Sequence, residues 1–191
     1  MPQRSKRPDD TSLLADTKVE GPRGLDLLTP LADKVRVRGL DPGDATLLTD
    51  HLLRLPARDL STRFHGGMSD DSVRSYVARI NWRDTLIFGA FIEGQLRAVA
   101  ELILPARGAE GEVAVSVEAP FQRMGLGRVL VLAAILAARR VGLQTIRLTY
   151  QPRNFAMRAL AAELGAKSAG ESQQIDGVVR ILQRGENRPG A

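Results

Sequence analysis

An α/β (α+β) fold, a sheet with helices on its flanks, is predicted by three features of the sequence. The alternating run Glu112-Val113-Ala114-Val115-Ser116-Val117 turns through Gln122-Arg123-Met124-Gly125-Leu126-Gly127 into the apolar run Val129 to Ala138, a passage from strand through glycines to helix. Two strand-like runs, Thr85 to Glu93 and Gln95 to Leu104, meet at Glu93-Gly94-Gln95, a tight hairpin signal. A further strand, Thr145 to Tyr150, is followed by Asn154 as the cap of a helix from Phe155 to Leu164. The 191 residues, 43% of them apolar, suffice for one domain with a sizeable core, and there are no internal repeats.

Residues 1–33 mix Pro, Gly, Ser, Thr and both charges with short apolar patches and read as a flexible or loosely docked extension. The domain is placed at 34–184, with a tail at 185–191. Lys34 to Leu40 alternates as the first strand, and Asp41-Pro42-Gly43-Asp44 offers a start for a helix from Ala45 to Leu55, which Pro56 breaks. A loop containing His65-Gly66-Gly67 follows. Ser69 caps a second helix with Asp70 and Asp71 in its first turn and Val73, Tyr76, Val77 and Ile80 on one face. After the hairpin, Pro105 to Gly111 leads to the central strand, and the helix beyond the glycines runs from about Gly125 to Val141, stopped near Gly142. Gly165 stops the next helix. Lys167 to Gln174 and Val178 to Leu182 read as a closing hairpin around Asp176-Gly177.

A strand that turns through glycines into a helix leaves N–H groups unpaired at the positive end of the helix dipole, a ready site for phosphate. A Walker loop requires Gly-Lys-Ser/Thr, and Gly127 is followed by Arg128 and Val129. A dinucleotide fingerprint requires a third glycine where Leu130 stands and an acid where the next strand ends in Thr149-Tyr150-Gln151. The pattern that remains, Gln/Arg-x-x-Gly-x-Gly/Ala, resembles the pyrophosphate loop of the GCN5-related N-acetyltransferases, the GNAT superfamily. The likeness runs from about Lys34 to Gln183 in element order. It is best from Glu112 to Ala166, where it is similar to bacterial protein-lysine acetyltransferases. The alternative for the loop alone is a tight turn whose glycines only permit positive φ.

The resemblance implies a mixed, mostly antiparallel, twisted sheet flanked by helices and splayed at the central strand. It implies acetyl-CoA as co-substrate, with the pyrophosphate on Gln122, Arg123, Met124, Gly125, Leu126, Gly127 and Arg128. The amides of Val115 and Val117, freed at the splay, would meet the thioester carbonyl and pantetheine; an unbroken ladder is the alternative. Asn154 would bond the pantetheine arm, serve as a helix cap, or do both. Freeing a lysine amine of its proton at pH 7 costs about 4 to 5 kcal/mol, so a base is required. Glu112 stands where the similar protein acetyltransferases carry their proposed catalytic glutamate; the alternative is a strand-end carboxylate in a surface salt bridge. Glu101 is the second candidate, and Glu118 lies too close to the loop. Many small-molecule members carry a tyrosine seven residues after the asparagine as acid to the thiolate. Ala161 stands there, which leaves the acid unassigned, leans towards the protein-lysine subgroup, and would let the thiolate take its proton from solvent.

The net charge is +5, but the arginines are scattered, among them Arg54, Arg58, Arg63, Arg97, Arg107 and Arg147, with few aromatics between them. Specific nucleic-acid binding is not indicated, and the arginines read as a solvated face. No apolar run reaches the roughly 18 residues of a membrane span, and no apolar segment follows Arg4, Lys6 and Arg7. The chain has no cysteine, hence no disulfide framework, and its two histidines lack metal-ligand spacing. His51 reads as solvated beside Asp50, and His65 as a packed or pocket-lining loop residue. Taken with the resemblance, these observations lead to the expectation of a cytoplasmic monomer or homodimer that acetylates a primary amine, foremost a protein lysine. A small-molecule amine acetyltransferase is the alternative, and a non-catalytic acetyl-CoA-binding regulatory module is the alternative of another class.

Overall fold

Among the described residues seven strands make one open, mixed sheet in the order β1-β2-β3-β4-β5-β7-β6: β1 Val35–Leu40, β2 Thr85–Ile92, β3 Gln95–Ile103, β4 Glu110–Val117, β5 Thr145–Tyr150, β6 Lys167–Ala169 and β7 Ile175–Arg180. Every pairing is antiparallel except β4 with β5. The computed structural model describes residues 34–64, 66–170 and 174–182. The extension 1–33, the tail 185–191 and His65 lie outside the described residues. Among the described residues five helices flank the sheet: α1 Ala45–Leu53, α2 Ala57–Phe64, α3 Asp70–Ala78, α4 Leu126–Arg140 and α5 Phe155–Glu163.

The local signals act as their chemistry requires. Residues Glu93 and Gly94 both take positive φ, 51° and 77°, in a two-residue turn between β2 and β3 whose twist suits the hairpin. Asp41 and Asp44 form a reciprocal capping box, and Arg38 grips Asp44 through two nitrogens at 2.6 and 2.7 Å ahead of α1. Ser69 caps α3 by accepting from the Ser72 amide at 3.2 Å.

Two apolar layers sandwich the sheet. On one face α4 sets Leu130, Val131, Ala134 and Ala138 against Ala98, Ala100, Leu102 and Val113, and α5 adds Ala161 over Tyr150. On the other, Leu48 and Leu52 of α1, Leu60 of α2 and Val73 and Val77 of α3 cover Ile87, Leu96 and Val99. Side chains alternate along a strand, so β4 faces both layers. A Cβ on Gly127 of α4 would lie 3.7 Å from the Val115 and Val117 side chains. Ser116 reaches His51 of α1, so Glu112, Ala114, Ser116 and Glu118 share the opposite face.

Four expectations need correction. The stretch after Pro56 is a helix, α2, rather than loop. The Pro56 carbonyl accepts from the amides of Asp59 and Leu60 at 2.8 and 3.0 Å, so the proline that ends α1 begins α2. Asp176 and Gly177 lie inside β7 instead of at a turn. Both residues pair with β5 and β6; a Cβ on Gly177 would lie 3.3 Å from Tyr150 of β5 and 3.5 Å from Ala161 of α5, and Asp176 accepts from Thr149 at 2.9 Å. His51 is wholly buried. Arg54, Arg63, Arg97 and Arg147 are not a free basic surface: each pairs with a carboxylate.

Candidate functional site

The central strand parts from its neighbour where the sequence turns towards the glycines. β4 pairs with β5 from Glu110 with Thr145 to Val113 with Leu148 and no further; beyond, β4 keeps only β3 and β5 keeps only β7. The Glu118 amide donates to the Arg97 carbonyl on β3 at 3.0 Å. Backbone N–H groups alternate along an extended strand, so the amides of Val117 and Val115 point to the other edge, into the gap that β5 leaves. Gln122 Nε2 donates to the Val117 carbonyl at 3.0 Å and to Asp59 at 2.9 Å, closing the lower end of that edge.

The loop leaves the start of a helix without a side-chain cap. Gly125 is the N-cap of α4 at φ 82°, a left-handed conformation that costs a side-chain-bearing residue about 1–2 kcal/mol, and no side chain caps the helix. The first bond of that helix runs from Val129 to the Gly125 carbonyl, which leaves the N–H groups of Leu126, Gly127 and Arg128 without an intrahelical acceptor. Arg123, at φ 60°, and Met124 are exposed. The Arg128 guanidinium turns to Glu163 at the end of α5, so this residue offers the gap its main chain. An uncapped positive helix end, a glycine with no Cβ and a free strand edge fit the pyrophosphate and pantetheine of coenzyme A.

Glu101, Glu112 and Glu118 share the α1–α3 face with Glu110, near the point where β4 leaves β5, and they differ in environment. Glu112 is exposed, beside a cavity of about 240 Å³ that Ile103, Leu104, Pro105, Glu110 and Arg147 also line. Among the described residues no hydrogen bond engages its carboxylate. Arg147, opposite it on β5, is held by Glu110, with Asp176 at 4.0 Å; these bonds first, and the nearby Glu112 charge last, raise the guanidinium pKa. Glu101 is 1% exposed and closed in by Arg63, at 2.8 Å, and by the Tyr76 hydroxyl, which donates to it. Burial first, then the Glu101 charge, pushes the Tyr76 hydroxyl upward. Oε1 accepts no hydrogen bond despite its ion pair with Arg63, so Glu101 differs from Glu112 in being buried beside a guanidinium and not in lacking a free lone pair. Glu118, 4% exposed, accepts from His51, Arg54 and Arg97; burial works to raise its pKa and those hydrogen bonds outweigh it, bringing it to about 2.

Asn154 caps α5 by accepting from the Met157 amide at 3.1 Å, across the gap from the loop. Ala161 is buried and Tyr150 lies in the core with its hydroxyl on Ser168. Sequence reasoning passed over Tyr76, Arg63 and His51 as polar members of this region. For His51 the signal was present: positions 48, 51, 52 and 55 form one helical stripe, and the other three are leucine. Among the described residues no group of three or more His, Asp or Glu is placed to hold a metal ion, and no helix is long and apolar enough to cross a membrane.

The family profile described as Acetyltransferase (GNAT) family matches residues 53–166. Among solved structures the chain is similar to the GNAT domain of S. lividans PAT, at 21% identity and TM-score 0.66 over 77% of this chain and 90% of that one. It is similar to the ribosomal-protein-S18-alanine N-acetyltransferase from Escherichia coli, at 22% identity and TM-score 0.62 over 81% and 98%. It is also similar to the spermidine N-acetyltransferase from Vibrio cholerae in complex with CoA and spermine, at 18% identity and TM-score 0.62 over 78% and 96%. At these identities the likeness shows the fold. No curated protein matches the sequence.

Proposed function

Since the chain belongs to the acetyltransferase (GNAT) family and is an acetyl-CoA-dependent N-acetyltransferase, we propose that it transfers the acetyl group directly to a primary amine, foremost a protein lysine. The observation that carries this reading is the gap between β4 and β5, which lies between the exposed Glu112 and the uncapped start of α4. Gln122 to Arg128 hold the pyrophosphate, mainly through N–H groups, and Asn154 bonds the pantetheine. The amides of Val115 and Val117 meet the arm and the carbonyl, where donors fixed in advance stabilise the developing oxyanion. Glu112 takes the ammonium proton, directly or through water, because it is exposed and, among the described residues, its carboxylate is held by no hydrogen bond. Glu101, the second candidate, is set aside by its Arg63 and Tyr76 partners.

The lysine reading is supported by the likeness to the S. lividans PAT domain and by Ala161 in place of an acid. A small polyamine is the second reading. Its support is the likeness to the Vibrio cholerae spermidine N-acetyltransferase, solved with spermine, since Glu110, Glu112 and Asp176 share their face of the sheet with Arg147, Lys167 and Arg180, which balance their charge. Action as a cytoplasmic monomer or homodimer, in a domain spanning 34–184, belongs to the same proposal.

Calorimetric titration with acetyl-CoA, CoA and NADH tests the cofactor half. Saturable CoA binding, absent with NADH and lost in Gly125→Asp, is the expected result. Lysine peptides and spermine, offered with acetyl-CoA, then separate the acceptors. CoA binding that survives Glu112→Gln with no turnover on any amine would replace the enzyme by a regulatory acetyl-CoA sensor.

A further inference from the structure

One buried polar cluster has no part in the transfer as proposed. His51 of α1 is 0% exposed, and its two ring nitrogens bond two side chains of the same strand end: Nε2 lies 2.9 Å from Ser116 Oγ and Nδ1 3.2 Å from Glu118 Oε1. An ionised Glu118 can only accept, so Nδ1 carries a proton and donates to it, while Nε2 and the Ser116 hydroxyl share the second hydrogen bond. Glu118 gathers two more donors, Arg54 Nε of α1 and Arg97 Nη1 of β3, each at 2.8 Å. Arg54 also bonds the Leu96 carbonyl at 2.8 Å, and Arg97 lies over the Phe121 ring at 5.0 Å, in the turn that opens the glycine loop.

The position of this cluster matters more than its composition. Ser116 and Glu118 flank Val117, in the half of β4 that has lost β5 as a neighbour. A strand paired on one edge only is held weakly and opens readily. The amides of Val115 and Val117 are aimed by the orientation of that half-strand, and a hydrogen bond weakens steeply as its angle departs from linear. A leucine at 51 would join the apolar stripe of α1 and pack on the sheet without burying polar groups. It would not fix the rotation of β4 about its own axis, which bonds to two alternate residues do.

We propose that His51 is a positioning residue: through Ser116 and Glu118 it clamps the splayed half of β4 to α1 and thereby sets the aim of the Val115 and Val117 amides and the affinity for acetyl-CoA. The second half rests on the acetyltransferase reading; the first does not. The clamp also joins the helix layer that covers the acceptor-side face to the strand that meets the cofactor. A change in the packing of α1 is thus transmitted to the cofactor edge.

Two measurements test this on the full chain. Hydrogen exchange of the ligand-free protein reads the clamp, and calorimetric titration with CoA reads its consequence. The variants are His51→Ala, His51→Asn, His51→Gln and Ser116→Ala, with Val73→Ala of the α3 core as a control for general loss of stability. Asn keeps a donor near the Nδ1 position, and Gln keeps a polar group near Nε2. In His51→Ala and Ser116→Ala the amides of 114–118 exchange faster while β5 and β7 keep their protection, and the CoA dissociation constant rises about tenfold, the factor that about 1.4 kcal/mol represents. His51→Asn and His51→Gln fall between these and the parent. Ser116→Ala removes one hydroxyl and carries the test if His51→Ala does not fold. Unchanged exchange at 114–118, or exchange that rises across the whole sheet as in Val73→Ala, overturns the clamp. Local loosening in a protein that does not bind CoA at all leaves the clamp standing and refutes the acetyl-CoA reading.

Discussion

Replacing Glu118 by Gln removes a charge from the centre of three donors while keeping the side-chain shape. Burial would raise the pKa of this carboxyl from its ordinary 4.5; the bonds from His51, Arg54 and Arg97 instead bring it to about 2. A group that titrates at about 2 when folded and about 4.5 when unfolded contributes at most about 3.4 kcal/mol at neutral pH. Two of the partners reach solvent, Arg54 at 39% and Arg97 at 21% side-chain exposure, and screening there reduces the contribution to about 2 kcal/mol. Glu118→Gln should therefore lower the melting temperature at pH 7 by about 4–8 °C for a chain of this size. The sign of the pH dependence follows from the lowered folded-state value. The stability is fully present above about pH 4.5 and is lost as pH falls through about 2. The parent and the variant thus differ most at pH 7 and converge as the pH drops below about 4.5. Urea titrations of both proteins at pH 7, 5, 4 and 3 measure this. A difference below about 0.5 kcal/mol at pH 7, or one that stays constant down to pH 3, would refute the assignment of Glu118 as an ionised hub.

Three further outcomes are expected. Glu112→Gln should leave CoA affinity unchanged and reduce kcat about 10²–10⁴-fold on the acceptor identified, with partial recovery at high pH, where the amine is already the free base; steady-state kinetics with both substrates reads this. Glu101→Gln leaves Arg63 buried without its counter-charge and should cost about 3 kcal/mol in urea unfolding, although Glu101 is assigned no proton-transfer role. Asn154→Ala removes the α5 cap and should cost about 1 kcal/mol; a simultaneous fall in CoA affinity by calorimetry separates a pantetheine contact from a cap alone.

How far the sequence could be read depended on the range over which each signal acts. The Glu93-Gly94 turn, the Ser69 and Asn154 caps and the glycine stop near Gly142 are all decided within a few residues of backbone, and each is found where its local chemistry put it. The stretch after Pro56 was read wrongly because a proline ends one helix and begins the next with the same fixed φ, and only Leu60 finding a place in the core decides for a helix. Asp-Gly at 176–177 is a turn signal that tertiary pairing overrode, since both residues are paired to β5 on one side and β6 on the other.

By itself the sequence determined the order of the strands and of every helix except α2, the glycine turn at Gln122 to Gly127 and the family, because these depend on neighbours along the chain. The tertiary structure alone decided which carboxylate stays open. Glu101, Glu112 and Glu118 are alike as residues. Their environments are set by Arg63 and Tyr76, which reach Glu101 from 38 and 25 positions away, and by His51 and Arg54, which reach Glu118 from 67 and 64 positions away. The pKa of a carboxyl follows from burial and from the donors that surround it, and those are brought together only when the helices close over the sheet.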